Sequence, residues 1–210
     1  ETLIDNALET GHIRKIAFNQ AKTQGLIETF DPAPSYLQHI ATLVDLSSIM
    51  QADLKIAIDS MHGSGAGYLK AILKGSNGTV REIRATKNPS FPGMGQPEPI
   101  AQNLKPLRRK ILSMKAHVGL STDGDADRLG VIDENGNFLS TLQVFALLAQ
   151  YFLEVRGETG AIVKSLTTTR MINRLGELFQ VPVFETPVGF KYISPIMIRE
   201  NALIAGEESG

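Results

Sequence analysis

The sequence predicts an α/β fold arranged as two consecutive mixed-sheet domains, and three observations predict it. From about Tyr36 onward, apolar segments of strand length alternate with longer segments whose apolar residues recur at three and four. An Asn135-Gly136 pair between apolar runs marks a hairpin within that alternation. Ser140 with Gln143 three residues later forms a capping box, so a new unit starts near residue 140. The boundaries that follow are a first segment over 1–35, whose own core partner is missing, an α/β domain over 36–140 and a second over 141–210.

The elements justify themselves in order. Residues 35–50 repeat apolar positions at helical spacing, LKIAID at 54–59 is a short strand, and AGYLKAIL resumes the helical period before the strand TVREI. Next comes ATKNPSFPGMGQPEPI, with four prolines and two glycines, which predicts a loop; a helix runs from about Ile100 to Lys115 after its last proline. Loops longer than about a dozen residues without structure of their own are usually functional or disordered, so this one is expected to line a cleft. AHVGLS at 116–121 and LGVID at 129–133 flank an acidic turn, and Phe138-Leu139 completes the hairpin. In the second domain TLQVFALLAQYFLEV is a helix stopped by Gly157. The strand AIVK, the helix TTTRMINRLGELFQ, the strand VPVFE, a helix from TPVGFKYI to about Asn201 and the strand ALIAG follow. The βα turn Asp59-Ser60-Met61-His62-Gly63-Ser64-Gly65-Ala66-Gly67 lacks the glycine spacing of a dinucleotide fingerprint and the Gly-Lys-Ser/Thr of a P-loop, so it is expected to be a tight connection. His62 and His117 read as structural, and the runs Lys105 to Lys110 and Arg81 to Lys87 as solvated faces.

Composition excludes several classes. With 21 basic and 22 acidic side chains the net charge of −1 provides no field for nucleic acid or an anionic membrane. No apolar run approaches the roughly 18 residues of a membrane span. The absence of cysteine removes disulfides, thiolate metal sites and cysteine nucleophiles, so any metal must take oxygen or imidazole ligands. Charges in the opening ETLIDNALETGHIRK leave no secretory signal, and the expected location is cytoplasmic. The chain opens at Glu1 without an initiator methionine and stops at Gly210 inside a motif, which suggests a piece of a longer protein.

The most informative stretch is Ser121-Thr122-Asp123-Gly124-Asp125-Ala126-Asp127-Arg128. On a regular strand, carboxylates at i and i+2 stand roughly 6.6 Å apart, too far to share one ion, so the chain must curl, and Gly124 and Ala126 permit that. Oxygen-only ligands in a tight loop suit a hard divalent cation such as Mg²⁺. An EF-hand uses the same spacing, with Glu134 at its twelfth position, but its sixth position needs glycine and holds Arg128. A dehalogenase-type phosphatase wants Thr or Val four residues after its first Asp, where Asp127 stands. Arg128 beside a bound cation makes sense if both hold a phosphoryl group; charge balance for Asp125 or Asp127 is its plainer role. Gly206-Glu207-Glu208-Ser209-Gly210 ends a strand, where ligands of open α/β sheets tend to bind, and offers acceptors and a donor for hydroxyls. In Thr186-Pro187-Val188-Gly189-Phe190-Lys191 the glycine permits close backbone approach and the lysine could hold a phosphate.

In this order and at these intervals, the three pieces resemble the α-D-phosphohexomutase family of phosphoglucomutases and phosphomannomutases. DGDADR looks like its metal-binding loop, TPVGFKYI like its sugar-specificity segment and GEESG like the start of its sugar-binding loop; Pro97-Glu98-Pro99 ahead of Asn103-Leu104, and LGVIDENG, also look familial. The resemblance implies a four-domain, Mg²⁺-dependent enzyme, of which 1–35 is the end of domain 1 and a linker, 36–140 domain 2 and 141–210 most of domain 3. It assigns Asp123, Asp125 and Asp127 to Mg²⁺, Arg128 to catalysis and phosphoryl oxygens, and Val188, Gly189, Lys191, Glu207 and Ser209 to the sugar phosphate. Lys164 is a loose match to a substrate-binding basic residue. The implied partners are glucose 1-phosphate, glucose 6-phosphate and glucose 1,6-bisphosphate, with the phosphoserine lying outside these residues. Val188 stands where some glucose-specific members have threonine, and mannose phosphate is the alternative substrate. Residues 1–210 alone are expected to bind Mg²⁺ weakly and not to catalyse.

Overall fold

The structure, a computed structural model, describes residues 2–11 and 15–208. Contacts divide the chain into Glu1–Ile40 and Ala41–Gly210. In the first unit, helix α1 covers Thr2–Thr10 and α2 Phe18–Thr23, with Ala21 its buried residue. Helix α3, Ala33–Leu43, runs across the division.

The helix expected over 35–50 is broken, because Asp45 caps a separate helix α4, Leu46–Gln51, by accepting from the Ser48 backbone N–H. Hydrogen bonds from the Ser48 and Ser47 hydroxyls lower the Asp45 carboxyl to about 2. Then come β1 (Lys55–Asp59), α5 (Tyr68–Ile72), β2 (Thr79–Ile83), α6 (Lys105–Met114), β3 (Val118–Thr122), β4 (Leu129–Asp133) and β5 (Phe138–Leu139). They form a mixed sheet in the order β2-β1-β3-β4-β5: β1 is parallel to β2 and β3, and the hairpin β3-β4 and the pair β4-β5 are antiparallel. The hairpin turn before β5 is held by Asp133, whose carboxylate accepts from the backbone N–H groups of Asn135 and Asn137.

Central strand β1 is buried on both faces from Ile56 to Asp59, its apolar Ile56-Ala57-Ile58 stretch ending in a buried carboxylate. Ala57 joins Leu104, Leu107, Ile111 and Ile132 under α6, whereas Ile56 and Ile58 pack with Leu73 and Leu69 toward α5. Helix α6 starts at Lys105, later than the expected Ile100, with turns over 101–104 tied by the Leu104 N–H to the Ile100 carbonyl.

After Ser140, the capping box is present with both reciprocal hydrogen bonds and starts α7, Thr141–Gln150. The helix expected to continue to 155 widens into a π-helical turn over Tyr151–Val155. Strand β6 (Ile162–Ser165), α8 (Met171–Phe179), β7 (Val183–Thr186), α9 (Phe190–Glu200) and β8 (Ile204–Gly206) follow. Their sheet, in the order β7-β6-β8, is all parallel, and Phe145, Ala149, Leu153, Ile162 and Ile172 form its core with α7 and α8. Among the described residues no helix is long and apolar enough to cross a membrane.

Candidate functional site

The acidic loop joins the hairpin strands where Thr122 pairs with Leu129, at the carboxyl end of β3, beside the carboxyl end of β1. Ala126 takes a left-handed conformation, φ 68°, and this curls the loop as the spacing requires. One oxygen from each of Asp123, Asp125 and Asp127 then lies within 4.8 Å of the others. That separation and the all-oxygen donor set fit a hard divalent cation, and no other group of three such residues with this spacing occurs among the described residues.

The three carboxylates are not equivalent. Asp123 is buried; its Oδ1 accepts from the backbone N–H of Asp127 at 3.0 Å and of Arg128 at 3.2 Å, and its Oδ2 accepts from Arg128 Nε at 2.8 Å. Burial pushes the Asp123 carboxyl up, but the hydrogen bonds and charge of Arg128 outweigh it and hold the group below the ordinary aspartate value. Asp125 and Asp127 are exposed. Partial desolvation by the loop, followed by the charges of Asp123 and Asp125, pushes Asp127 up. Arg128, raised further by its hydrogen bond to Asp123, also donates from Nη1 to Glu98 Oε1 at 3.3 Å.

Two neighbouring segments press the loop into shape. From one side the βα turn approaches so closely that a Cβ on Gly63 would stand 2.6 Å from the Gly124 carbonyl oxygen and 2.7 Å from that of Asp123, and the Ser64 N–H donates to Gly124 O at 2.9 Å. From the other, the proline-rich loop accepts the Gly124 N–H on Pro97 O at 3.0 Å. Beneath both, Arg84 is a correction to the solvated face expected over Arg81 to Lys87. Its guanidinium bonds the fully buried Asp59 through Nε at 2.7 Å and Nη2 at 2.5 Å, and Nη2 also donates to the Asn103 carbonyl at 2.9 Å.

In the second sheet the ends of β6, β7 and β8 face one way, as parallel strands must. The Gly189 N–H at the start of α9 donates to Glu207 Oε2 at 3.0 Å, which joins the segment after β7 to the loop after β8. Thr141, at the start of α7, donates its hydroxyl to the Glu208 carbonyl, and Gly206 sits against the Phe145 ring. Lys164 is buried within β6, with Nζ 2.7 Å from Glu185 Oε2. Val188 and Lys191 are exposed, the ammonium of Lys191 lying 5.0 Å from the centre of the Tyr192 ring. Ser209 lies outside the described residues.

Asp127, Arg128, Thr141 and Glu207 line one cleft of about 350 Å³, floored by Leu69, Val144, Phe145, Leu148 and Ile204. The acidic loop and the glutamate after β8 thus share a cavity, whereas Val188, Gly189 and Lys191 are not part of its lining. Sequence reasoning missed Glu98 as a partner of Arg128 and the Gly63–Gly65 turn as a wall of the acidic loop. For the turn, its density of glycine was the available signal.

Fold and loop together define an α/β protein that gathers three carboxylates and an arginine at the ends of its strands. Residues 34–136 match the family model described as phosphoglucomutase/phosphomannomutase, alpha/beta/alpha domain II, and residues 141–210 match that of domain III. The chain belongs to the phosphoglucomutase/phosphomannomutase family. It is 30% identical over 195 residues to a phosphoglucomutase/phosphomannomutase from Thermococcus kodakarensis, covering 92% of this chain and 42% of that one. Among solved structures it resembles a Thermus thermophilus protein assigned as a phosphomannomutase, at a TM-score of 0.81 and 37% identity, covering 87% of this chain and 42% of that one. At 17% identity and a TM-score of 0.61, covering 83% of this chain and 39% of that one, it shares a fold with Aspergillus fumigatus N-acetylphosphoglucosamine mutase, whose structure contains GlcNAc-6P and magnesium. Other relatives carry the names phosphoglucosamine mutase and phosphoglucomutase. The chain spans less than half the length of the curated relatives it matches.

Proposed function

We propose that these residues form the metal-binding and sugar-binding portion of a Mg²⁺-dependent phosphohexomutase that interconverts hexose 1-phosphate and hexose 6-phosphate, with glucose phosphate as the preferred substrate. The reading divides the chain into 1–35, 36–140 and 141–210, as the resemblance implies. It rests above all on the three carboxylate oxygens drawn within 4.8 Å of one another beside Arg128.

Asp123, Asp125 and Asp127 would hold the cation. When bound, it supplies neutralising charge for phosphoryl oxygens, and phosphoryl transfer depends on positioning and charge neutralisation more than on covalent chemistry with the protein. Asp123 has a second task, because its Oδ2 accepts from Arg128 Nε and so aims the guanidinium. Among the described residues Nη2 of Arg128 has no acceptor, and this leaves one edge of the fork for a phosphoryl oxygen. Glu207 and Ser209 bind sugar hydroxyls. Because Glu207 also accepts from the Gly189 backbone, a sugar that engages Glu207 is presented to the segment carrying Val188 and Lys191. The apolar floor of the cleft excludes water from one side of the bound sugar.

The test is turnover of glucose 1-phosphate, mannose 1-phosphate and glucosamine 1-phosphate by a full-length enzyme carrying these residues, before and after chelation. Glucose 1-phosphate is expected to turn over fastest, and activity should vanish with chelator and return with Mg²⁺. Undiminished activity after exhaustive chelation would refute the metal assignment. A preference for one of the other sugars would refute the glucose assignment alone. Purified residues 1–210 by themselves should show no turnover.

A further inference from the structure

We propose that Glu98 is a positioning residue for Arg128, which draws the guanidinium away from the exposed carboxylates of the acidic loop and so keeps them available to a cation. Arg128 stands among three acidic side chains. Nε is 2.8 Å from Asp123 Oδ2 and 3.7 Å from Asp127 Oδ1, and Nη1 is 3.3 Å from Glu98 Oε1. Asp123 is buried and fixed, so its bond sets one point of the guanidinium. A single point leaves rotation about that bond, and the next carboxylate within reach is Asp127. Glu98 lies outside the loop and supplies a second point. With both held, the plane of the fork is defined and Arg128 is restrained from folding onto Asp127. A guanidinium bound there would compete with a cation for the same oxygens.

Glu98 can act in this way because its own backbone is anchored. Proline stands on either side of it, and the Asn103 side-chain amide donates to the carbonyls of Gln96 at 2.8 Å and Glu98 at 2.9 Å. The Asn103 carbonyl accepts from Arg84, which is locked to buried Asp59. Pro97 O holds the Gly124 N–H, so the segment that aims Arg128 also grips the loop that it serves. A continuous series of contacts therefore runs from the end of β1 to the guanidinium.

The inference rests on the metal reading above, and its test separates the two. Residues 1–210 are prepared with unchanged sequence, with Glu98→Met, which keeps the apolar stem but removes the acceptor, and with Glu98→Gln, which keeps the acceptor but removes the charge. The Arg128 Nε–Hε signal is followed by NMR without metal, and Mg²⁺ affinity by calorimetry. Glu98→Met should shift the Arg128 signal and weaken Mg²⁺ binding about two- to five-fold, the scale of a partly exposed ion pair. Glu98→Gln should restore most of both. An unmoved Arg128 signal in Glu98→Met overturns the inference, and so does equal weakening by both variants, which would mean that only the net charge matters. If Glu98→Met does not fold, the Gln variant decides: an Arg128 signal displaced toward that of free arginine overturns the inference, and one near the unaltered value supports it. Failure of the unaltered chain to bind Mg²⁺ overturns the metal reading and with it the purpose assigned to Glu98, whatever the Arg128 signal does.

Discussion

Replacing Gly63 by alanine should damage the acidic loop without touching any of its side chains. The added Cβ would stand 2.6 Å from the Gly124 carbonyl oxygen and 2.7 Å from the Asp123 carbonyl oxygen, where ordinary contact starts at 3.4 Å. Both obstacles are backbone atoms, so no side-chain rotation relieves the clash, and the loop must retreat by about 0.8 Å or the turn must move by as much. Overpacking of this kind costs about 1–3 kcal/mol. The retreat also strains the Ser64 N–H to Gly124 O bond and displaces Asp123, the carboxylate on which the placement of Arg128 depends. Disturbing groups that orient metal ligands typically costs about 10- to 100-fold in affinity, and Mg²⁺ is strict about its geometry. Mg²⁺ titration by calorimetry and urea unfolding would measure the two effects. Gly95→Ala is the control, because a Cβ there meets nothing within 4 Å and should change stability by less than about 0.5 kcal/mol. If Gly63→Ala bound Mg²⁺ like the unaltered chain and unfolded at the same urea concentration, the argument that this turn shapes the loop would be wrong.

Arg84→Met should lower stability by about 3–5 kcal/mol in urea, since it leaves the buried Asp59 carboxylate without its partner; a loss under about 1 kcal/mol would show that the pair is dispensable. Asp125→Ala should abolish Mg²⁺ binding in the chain and turnover in a full-length enzyme while leaving unfolding unchanged, because the side chain is exposed; retained affinity would remove Asp125 from the site. Acidification should act in two stages. Asp127, pushed up, takes a proton first, so Mg²⁺ affinity should begin to fall above the ordinary aspartate range. Asp123, held down by Arg128, contributes stability that is present above its unfolded pKa and lost only as pH falls through its lower folded value. Calorimetry and circular dichroism over one pH series should therefore show metal binding lost before the fold; simultaneous loss would contradict the assignment.

The acidic loop was legible in the sequence because its three carboxylates recur at alternate positions, Asp123, Asp125 and Asp127, and a strand on either side left the chain only a short turn in which to gather them. Central strand β1 and the α7 start were legible for the same reason: an apolar run and a capping box are local signals. What escaped was long-range. Arg84 lies in a run with Arg81 and Lys87 and reads as surface, yet it reaches Asp59 across 25 positions, a pairing that no spacing rule reports. Glu98 lies 30 positions before Arg128. The glycine turn failed the dinucleotide fingerprint, and its use as a wall against Gly124 becomes visible only when β1 and β3 pair. The break at Asp45 was overlooked because the apolar period continues through it, while the carboxylate competes for the Ser48 N–H.

The most direct measurement is anomalous diffraction from crystals of this chain soaked in Mn²⁺ as a heavier stand-in for Mg²⁺. One peak is expected within about 2.0–2.6 Å, the range that Mg²⁺ and Ca²⁺ span on oxygen, of an oxygen from each of Asp123, Asp125 and Asp127, with Arg128 still on Asp123. Strong Mn²⁺ density elsewhere, with these three carboxylates turned toward solvent and the hairpin intact, would contradict the account.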